Sequence, residues 1–237
     1  MEFRYHPDIL NRFPEVVGGI ALVRGITNSP TPPELLQTYQ REQEIVKQKI
    51  GSTPLSELAP LAAWRQAFRS FGVDPTGYRS ASEALLRRLT KKGDIPSLNA
   101  LVDLCNLISI RYALPVAAID MREVSGAITV CFANGSEHFL PLGANEIENP
   151  SPGEVIFIDE KGMVVARRWC WRQSAESAVG LATRQAIITI EAHHASGRMD
   201  VKSALDDLLE FLARYTGGEI QTGLLGPEHP SLRWQDG

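Results

Sequence analysis

Few cysteines and no long apolar run characterise this sequence of 237 residues. The three cysteines, Cys105, Cys131 and Cys170, are widely spaced and form no CxxC pair. This spacing excludes a disulfide framework or a zinc knuckle and favours free thiols in a reducing compartment. No segment approaches the roughly 20 apolar residues of a membrane helix, and the opening MEFRYHPDIL carries charges where a signal peptide needs an apolar core. We therefore expect a cytoplasmic protein with no membrane partner.

The familiar catalytic signatures are also missing. There is no GxSxG elbow, no HExxH motif and no Walker loop, and Gly18-Gly19 stand outside any GxGxxG pattern. His193 and His194 follow Glu191 closely, but adjacent side chains on a strand point to opposite faces and do not easily share one ion. We therefore expect neither a metal site nor a cofactor.

The composition is that of a folded protein, with 43% hydrophobic and 22% charged residues. A formal net charge of -4 argues against a duplex DNA partner, which needs a strongly basic face. It leaves room for a local basic contact with RNA. The length favours a single domain, residues 1–237, without internal repeats.

Helical and strand periodicities occupy separate parts of the chain, which predicts an α+β fold with a mainly antiparallel sheet and packed helices. In the N-terminal region, 1–78, we expect a short edge strand, a strand over 16–23 and two helices. The helices follow Thr31 and Thr53, each a hydroxyl cap ahead of proline. In the C-terminal region, 196–237, we expect an amphipathic helix and a loosely ordered tail.

The core region, 79–195, is expected to hold the functional site. Two helices, starting at Ser80 and Ser97, precede a change of period from about three and a half to two. The predicted strands that follow are 116–119, 128–132, 137–140, 154–158, 164–171 and 186–191.

The helix that starts at Ser80 carries a basic end. Ser80 and Glu83 match a capping box, which fixes its start. Its last two turns contain four cations, either a solvated face that suits a helix C-terminus or a patch that contacts phosphates. These cations are Arg87, Arg88, Lys91 and Lys92.

The next helix is apolar nearly all round, with Asp103 as its only charge between residues 95 and 110. Asn99, Asp103 and Asn106 nevertheless fall on one stripe, at i, i+4 and i+7. Buried amides and carboxylates need partners. They either tie neighbouring loops together or line a polar cleft.

The run Arg167 to Arg172 combines arginine with tryptophan. In a strand, Trp169 and Trp171 would share one face, opposite Arg168, Cys170 and Arg172. Such a surface could stack on a base and hold a phosphate, or the tryptophans could fill the core.

Glu191 ends an apolar strand. There its carboxylate is either exposed to solvent or a buried acceptor over a pocket.

Several segments carry a resemblance to a known family. They are DIPSLNALVDLCNLISIRYALPVAAID (94–120), with YRSASEALLRRL before it and GEVIFID, ARRWCWR and ITIEA after it. The chain resembles the B3/B4 editing domain of the phenylalanyl-tRNA synthetase beta subunit, and more closely the freestanding B3/B4-domain proteins. The resemblance implies a mixed α+β domain that receives the 3′ end of an aminoacylated tRNA. It further implies hydrolysis of the ester of a wrongly attached amino acid, with water positioned by backbone amides and the ribose hydroxyl and without a side-chain nucleophile.

The resemblance also implies roles for particular residues. Glu191 matches the pocket glutamate that reads the polar group of the amino acid, and the stripe of Asn99, Asp103 and Asn106 would shape the cleft. With Trp171 and Arg172 these are the candidate substrate-binding residues, and we expect Asn99, Trp171 and Glu191 to converge on one cavity. The basic end (Arg87, Arg88, Lys91 and Lys92) would contact tRNA.

Three departures from the family pattern affect the pocket. The threonine-containing loop that follows the glutamate in the synthetase has no counterpart after His194. Ala117 stands where the synthetase has histidine in its QPLHAFD stretch, and the run Trp169 to Arg172 replaces a glycine-rich turn. Tyrosine specificity is therefore not carried over. The hypothesis is a trans-acting aminoacyl-tRNA deacylase, and the alternative is a non-catalytic module that binds tRNA or an amino acid.

Overall fold

Two β-sheets and six α-helices make up the computed structural model, which describes residues 1–236. The helices are α1 (Pro7–Arg12), α2 (Pro33–Ile50), α3 (Ala59–Ser70), α4 (Ala81–Lys92), α5 (Ala100–Tyr112) and α6 (Gly197–Tyr215). The strands are β1 (Glu2–Tyr5), β2 (Val17–Arg24), β3 (Val116–Asp120), β4 (Ala127–Phe132), β5 (Val155–Ile158), β6 (Val164–Arg167), β7 (Arg172–Gln173), β8 (Gln185–Ala192), β9 (Glu219–Leu225) and β10 (Ser231–Arg233). Among these residues, no helix is both long and apolar enough to cross a membrane.

The strands form a six-stranded sheet, ordered β10-β1-β4-β5-β6-β7, and a four-stranded sheet, ordered β3-β8-β2-β9. The strand pairs are antiparallel except β1 with β4, which run parallel. The prediction of an α+β fold with a mainly antiparallel sheet is confirmed.

Strand β8 lies between two layers, and this explains its nearly continuous burial. Ile188 and Ile190 belong to the core that packs against α2, α5 and α6. Ile187 belongs to the core shared with the six-stranded sheet. Because side chains alternate along a strand, Thr189 and Glu191 share the face of Ile187 and point between the two sheets.

The predicted helix starts are partly correct. Ser80 caps α4, where its hydroxyl accepts a hydrogen bond from the Glu83 backbone N–H at 3.3 Å. The Glu83 carboxylate instead accepts from Arg65 at 2.7 Å, so the capping box is not reciprocal. Helix α2 has Pro32 at its N-cap with no side-chain bond. The hydroxyl of Thr31, expected to cap this helix, donates to Asp103 instead.

Four predictions for strands and the tail were wrong. Residues 137–140 make only isolated bridges, because the Glu137 carboxylate accepts from the backbone N–H groups of Asn134 and Gly135 and holds a turn there. The tail is not loosely ordered: it forms β9 against β2 and β10 against β1. Since β10 covers it, β1 is an internal strand rather than the predicted edge strand. The predicted strand 164–171 ends at Arg167.

Candidate functional site

A buried carboxylate, that of Glu191, lies between the two sheets near the end of β8. Its side chain is 1% exposed. The Tyr5 hydroxyl donates to Oε1 at 2.6 Å, and the Trp169 indole N–H donates to the same oxygen at 3.0 Å. Within residues 1–236, no protein group donates to Oε2. One oxygen is thus fixed by the fold and the other remains available.

Tyr5 reaches Glu191 because the neighbouring strand carries a glycine. Gly18 pairs with Glu191 across β2 and β8. A Cβ atom at Gly18 would lie 2.4 Å from the Tyr5 hydroxyl oxygen, closer than any ordinary contact. The absent side chain therefore makes room for the hydrogen bond.

Trp169 reaches Glu191 from a turn rather than a strand. Arg168 and Trp169 have φ angles of 45° and 62° between β6 and β7, a left-handed conformation that is uncommon for large residues. Trp169 is fully buried, with its ring 5.3 Å from Trp64 and 4.9 Å from Phe13 between centroids. The expectation that Trp169 and Trp171 share a strand face is therefore wrong.

Trp171 lies on the outer side of this turn and is half-buried. The Arg168 and Arg172 guanidinium groups lie 4.4 Å and 4.8 Å from its ring centroid. The Tyr78 ring packs edge-on at 5.0 Å. Alternating aromatic and cationic groups form a stack at the surface.

The electrostatics of Glu191 follow from its burial. Desolvation raises its pKa to about 7, while the hydrogen bonds from Trp169 and Tyr5 act in the opposite direction. Near neutral pH this carboxyl group is therefore close to half protonated. Burial, followed by the charge of Glu191, raises the pKa of the Cys170 thiol well above its ordinary value, so Cys170 is a poor nucleophile.

A small cavity of about 80 Å³ lies against Glu191. Strand β8 contributes Thr189 and Glu191, strand β3 contributes Val116 and Ala117, and the turn contributes Trp169 to Trp171. The remaining lining residues are Ala81, Pro115, Phe157, Ala166, Arg172 and Gln173. Carbon atoms dominate this wall, so the free oxygen of Glu191 stands out as a hydrogen-bond acceptor.

A basic surface adjoins the cavity. It surrounds an open depression of about 470 Å³, and Arg87, Lys91 and Lys92 are exposed there. Trp171 and Arg172 line both the depression and the small cavity. The cations of this basic surface are Arg79, Arg87, Arg88, Lys91, Lys92 and Arg172. The structure therefore brings the predicted basic end of α4 next to the cavity that Glu191 lines.

The polar stripe of α5 lies elsewhere. Asn99 caps the helix, accepting from the Val102 N–H at 3.1 Å and from the Asn28 side chain at 3.0 Å. Asp103 accepts from the Leu98 N–H at 3.0 Å and from the hydroxyls of Thr31 and Ser97.

These hydrogen bonds tie the preceding loops to α5. Of the two roles considered for the stripe, the structure therefore shows the structural one. Asn106 is half-buried. The stripe does not line the cavity, so the expected convergence of Asn99 with Trp171 and Glu191 is wrong.

Sequence reasoning missed Tyr5, Gly18 and Thr189. Tyr5 is 186 residues from Glu191 along the chain, and no local pattern indicates such a contact. Thr189 could have been found, because a residue two positions before Glu191 shares its strand face.

The two histidines have separate partners. His193 Nδ1 lies 3.4 Å from Glu15, and His194 Nε2 lies 2.7 Å from Asp200. Burial lowers the pKa of His193. Among residues 1–236, no group of three or more His, Cys, Asp or Glu side chains could hold a metal ion.

Comparison with known proteins places this site in context. The chain shares 26% identity over 94 residues with the phenylalanine–tRNA ligase beta subunit of Shewanella oneidensis, covering 40% of this chain and 12% of that protein. The corresponding subunit of Photorhabdus laumondii is 29% identical over 86 residues, covering 36% of this chain and 11% of that protein. The chain thus matches a small part of each relative's length.

An N-terminal fragment of the phenylalanyl-tRNA synthetase beta subunit from Pyrococcus horikoshii aligns over 92% of this chain and 49% of that one, with a TM-score of 0.48 and 14% identity. The family model of the B3/4 domain matches residues 63–216, a segment that includes α4, the turn between β6 and β7, and Glu191. The chain belongs to the B3/4 domain family.

Proposed function

We propose that this protein hydrolyses the ester bond between an amino acid and the 3′ end of a tRNA, acting in trans on a misacylated tRNA. The observation that carries this proposal is the adjacency of two unlike sites. A small cavity with the buried acceptor Glu191 meets a basic surface, and Trp171 and Arg172 belong to both. An aminoacylated tRNA end has this composition: an amino acid joined to a nucleotide strand rich in phosphate.

The basic surface suits the nucleotide part of such a substrate. Cations supply sequence-independent affinity for phosphates. The surface stack of Trp171 with Arg168 and Arg172 suits an unpaired base, since aromatic and guanidinium faces stack on bases. The similar proteins from Shewanella oneidensis and Photorhabdus laumondii support the same substrate class, because each is the beta subunit of a phenylalanine–tRNA ligase.

The cavity suits the aminoacyl part. Glu191 Oε2 would accept a hydrogen bond from a polar group of the amino acid. Cys170 lines the cavity, but the raised pKa of its thiol disfavours a covalent route. Water would therefore add to the ester carbonyl. The bond from the carbonyl carbon to the ribose oxygen would break, and that oxygen would take up a proton. The neighbouring ribose hydroxyl can orient the water.

The test is a deacylation assay with a panel of tRNAs charged with correct and incorrect amino acids. The protein is expected to accelerate hydrolysis of at least one mischarged ester over the buffer rate. Glu191→Gln preserves the side-chain volume and an acceptor for Tyr5 and Trp169, but changes the group facing the cavity. We expect this variant to change the rate or the amino-acid preference. A panel with no acceleration for any ester would refute the proposal.

One observation favours a second candidate, a module that binds aminoacylated tRNA without hydrolysis. Ala117 lines the cavity at the position where the related synthetase pattern has histidine, so a methyl group replaces a proton-transfer group. In that case Glu191→Gln would weaken binding of the charged tRNA, measured by filter retention, while the hydrolysis rate would equal that in buffer for both forms.

A further inference from the structure

The size of the cavity limits the amino acid that can enter it. An apolar protein cavity of about 150 Å³ holds a benzene ring, whereas a water molecule takes up about 30 Å³ in the liquid. The cavity beside Glu191 measures about 80 Å³. This is about half the volume that holds the benzene ring, so the cavity as it stands favours a short side chain over a phenyl or phenol group.

The lining indicates the chemistry of those groups. Most of the wall is carbon, contributed by residues such as Val116, Ala117 and Phe157. The free Oε2 of Glu191 is an acceptor without a protein donor among residues 1–236. A carboxylate in such a place is costly unless a ligand donates to it. The complementary side chain is therefore short, with one hydroxyl.

We infer that the amino acid removed is serine or threonine, with its side-chain hydroxyl donating to Glu191 Oε2. This inference rests on the proposed function. Serine brings two heavy atoms beyond Cα and threonine brings three, which matches the available space. Alanine would fit but would leave the acceptor unpaired. Tyrosine and phenylalanine would not fit unless the lining moved apart.

The experiment measures hydrolysis of tRNAs charged with serine, threonine, alanine, tyrosine and phenylalanine. We expect the seryl and threonyl esters to react on the order of tenfold faster than the alanyl ester, because alanine leaves a buried acceptor without a partner. The aromatic esters should react at the rate in buffer. If the tyrosyl or alanyl ester reacts as fast as the seryl ester, the inference is overturned and the proposed function stands. If no ester reacts faster than in buffer, the proposed function itself fails.

Two variants test the cavity by independent routes. Ala117→Leu adds three heavy atoms to the wall and should abolish hydrolysis of the seryl ester, while the exposed Ala182→Leu serves as the matched control. Glu191→Gln should bring the ratio of seryl to alanyl rates close to one. Circular dichroism verifies that each variant is folded. An unchanged rate in Ala117→Leu, or an unchanged ratio in Glu191→Gln, would overturn the inference.

Discussion

Replacing Tyr5 with phenylalanine removes one oxygen atom and tests how the fold holds Glu191. The Tyr5 hydroxyl donates to Glu191 Oε1 at 2.6 Å, and both side chains are buried. Phenylalanine keeps the ring and its packing against Phe3, whose centroid lies 5.7 Å away. The substitution therefore isolates the hydrogen bond.

The expected loss of stability depends on the charge of Glu191. A hydrogen bond to a charged group contributes roughly 1.5–3 kcal/mol, and one between neutral groups contributes roughly 0.5–1.5 kcal/mol. The pKa of Glu191 in the folded protein is about 7. Tyr5→Phe should thus lower the free energy of unfolding by about 2–3 kcal/mol at pH 8.5 and by about 1 kcal/mol at pH 5.

The pH dependence of the parent protein has a definite sign. Burial raises the pKa of Glu191 from 4.5 to about 7. Between these values the folded state binds more protons than the unfolded state, so stability falls as the pH rises through this window. At about 1.4 kcal/mol per pKa unit, the contribution of Glu191 amounts to about 3 kcal/mol. Because the Tyr5 bond favours the carboxylate, Tyr5→Phe raises the pKa of Glu191 further and enlarges this loss.

Urea unfolding at pH 5 and pH 8.5, followed by tryptophan fluorescence, measures both effects. Tyr215→Phe is the matched control: Tyr215 is half-buried, stacks on Phe211, and makes no hydroxyl hydrogen bond within residues 1–236. The decrease in the free energy of unfolding caused by Tyr215→Phe should be small and equal at the two pH values. If the loss in Tyr5→Phe were also equal at the two pH values, the assignment of a carboxylate that titrates near neutral pH would be wrong.

Two further predictions separate the structural residues from the proposed binding residues. Asp103→Ala removes an acceptor from three donors and should lower the free energy of unfolding by about 3 kcal/mol, measured in urea, with deacylation per folded molecule unchanged. Arg87→Ala combined with Lys91→Ala should weaken tRNA binding and reduce the slope of log affinity against log salt by about 1.4, since each contact to a single strand contributes about 0.7.

The controls for these predictions lie elsewhere on the chain. Thr38→Ala removes an exposed hydroxyl on α2 that bonds only to its own helix, so it should change stability much less than Asp103→Ala does. Lys161→Ala removes an exposed cation outside the basic surface and should leave the salt slope unchanged. A lower deacylation rate per folded molecule in Asp103→Ala would contradict a purely structural role for Asp103. An unchanged salt slope in the variant that lacks Arg87 and Lys91 would contradict their contact with tRNA.

The features predictable from the sequence are those with local causes. The cap at Ser80 and the burial of α5 and β8 follow from short-range spacing and periodicity. Glu191 stands out because a carboxylate interrupts an apolar strand. The sequence alone did not decide whether this carboxylate is exposed to solvent or buried over a pocket. The structure shows that it is buried.

The remaining features depend on contacts between distant parts of the chain. Strand β10 pairs with β1 at the opposite end of the sequence, so no local pattern marks either strand's position in the sheet. The spacing of Asp103 from Asn99 and Asn106 is compatible with a residue that lines a cleft. Its partner Thr31, however, lies in a loop 72 residues away in the sequence. The turn at Arg168 could not be predicted, because tryptophan is common in strands and bulky residues rarely adopt a left-handed backbone.

That turn links the buried carboxylate to the surface. In an extended strand, residues 169 and 171 would point to one face; the left-handed backbone at Arg168 and Trp169 instead directs Trp169 inward and leaves Trp171 outside. Such a conformation costs roughly 1–2 kcal/mol per residue. The indole hydrogen bond to Glu191 and the full burial of Trp169 offset this cost. The turn therefore joins the Trp171 stack at the surface to the carboxyl group that faces the cavity.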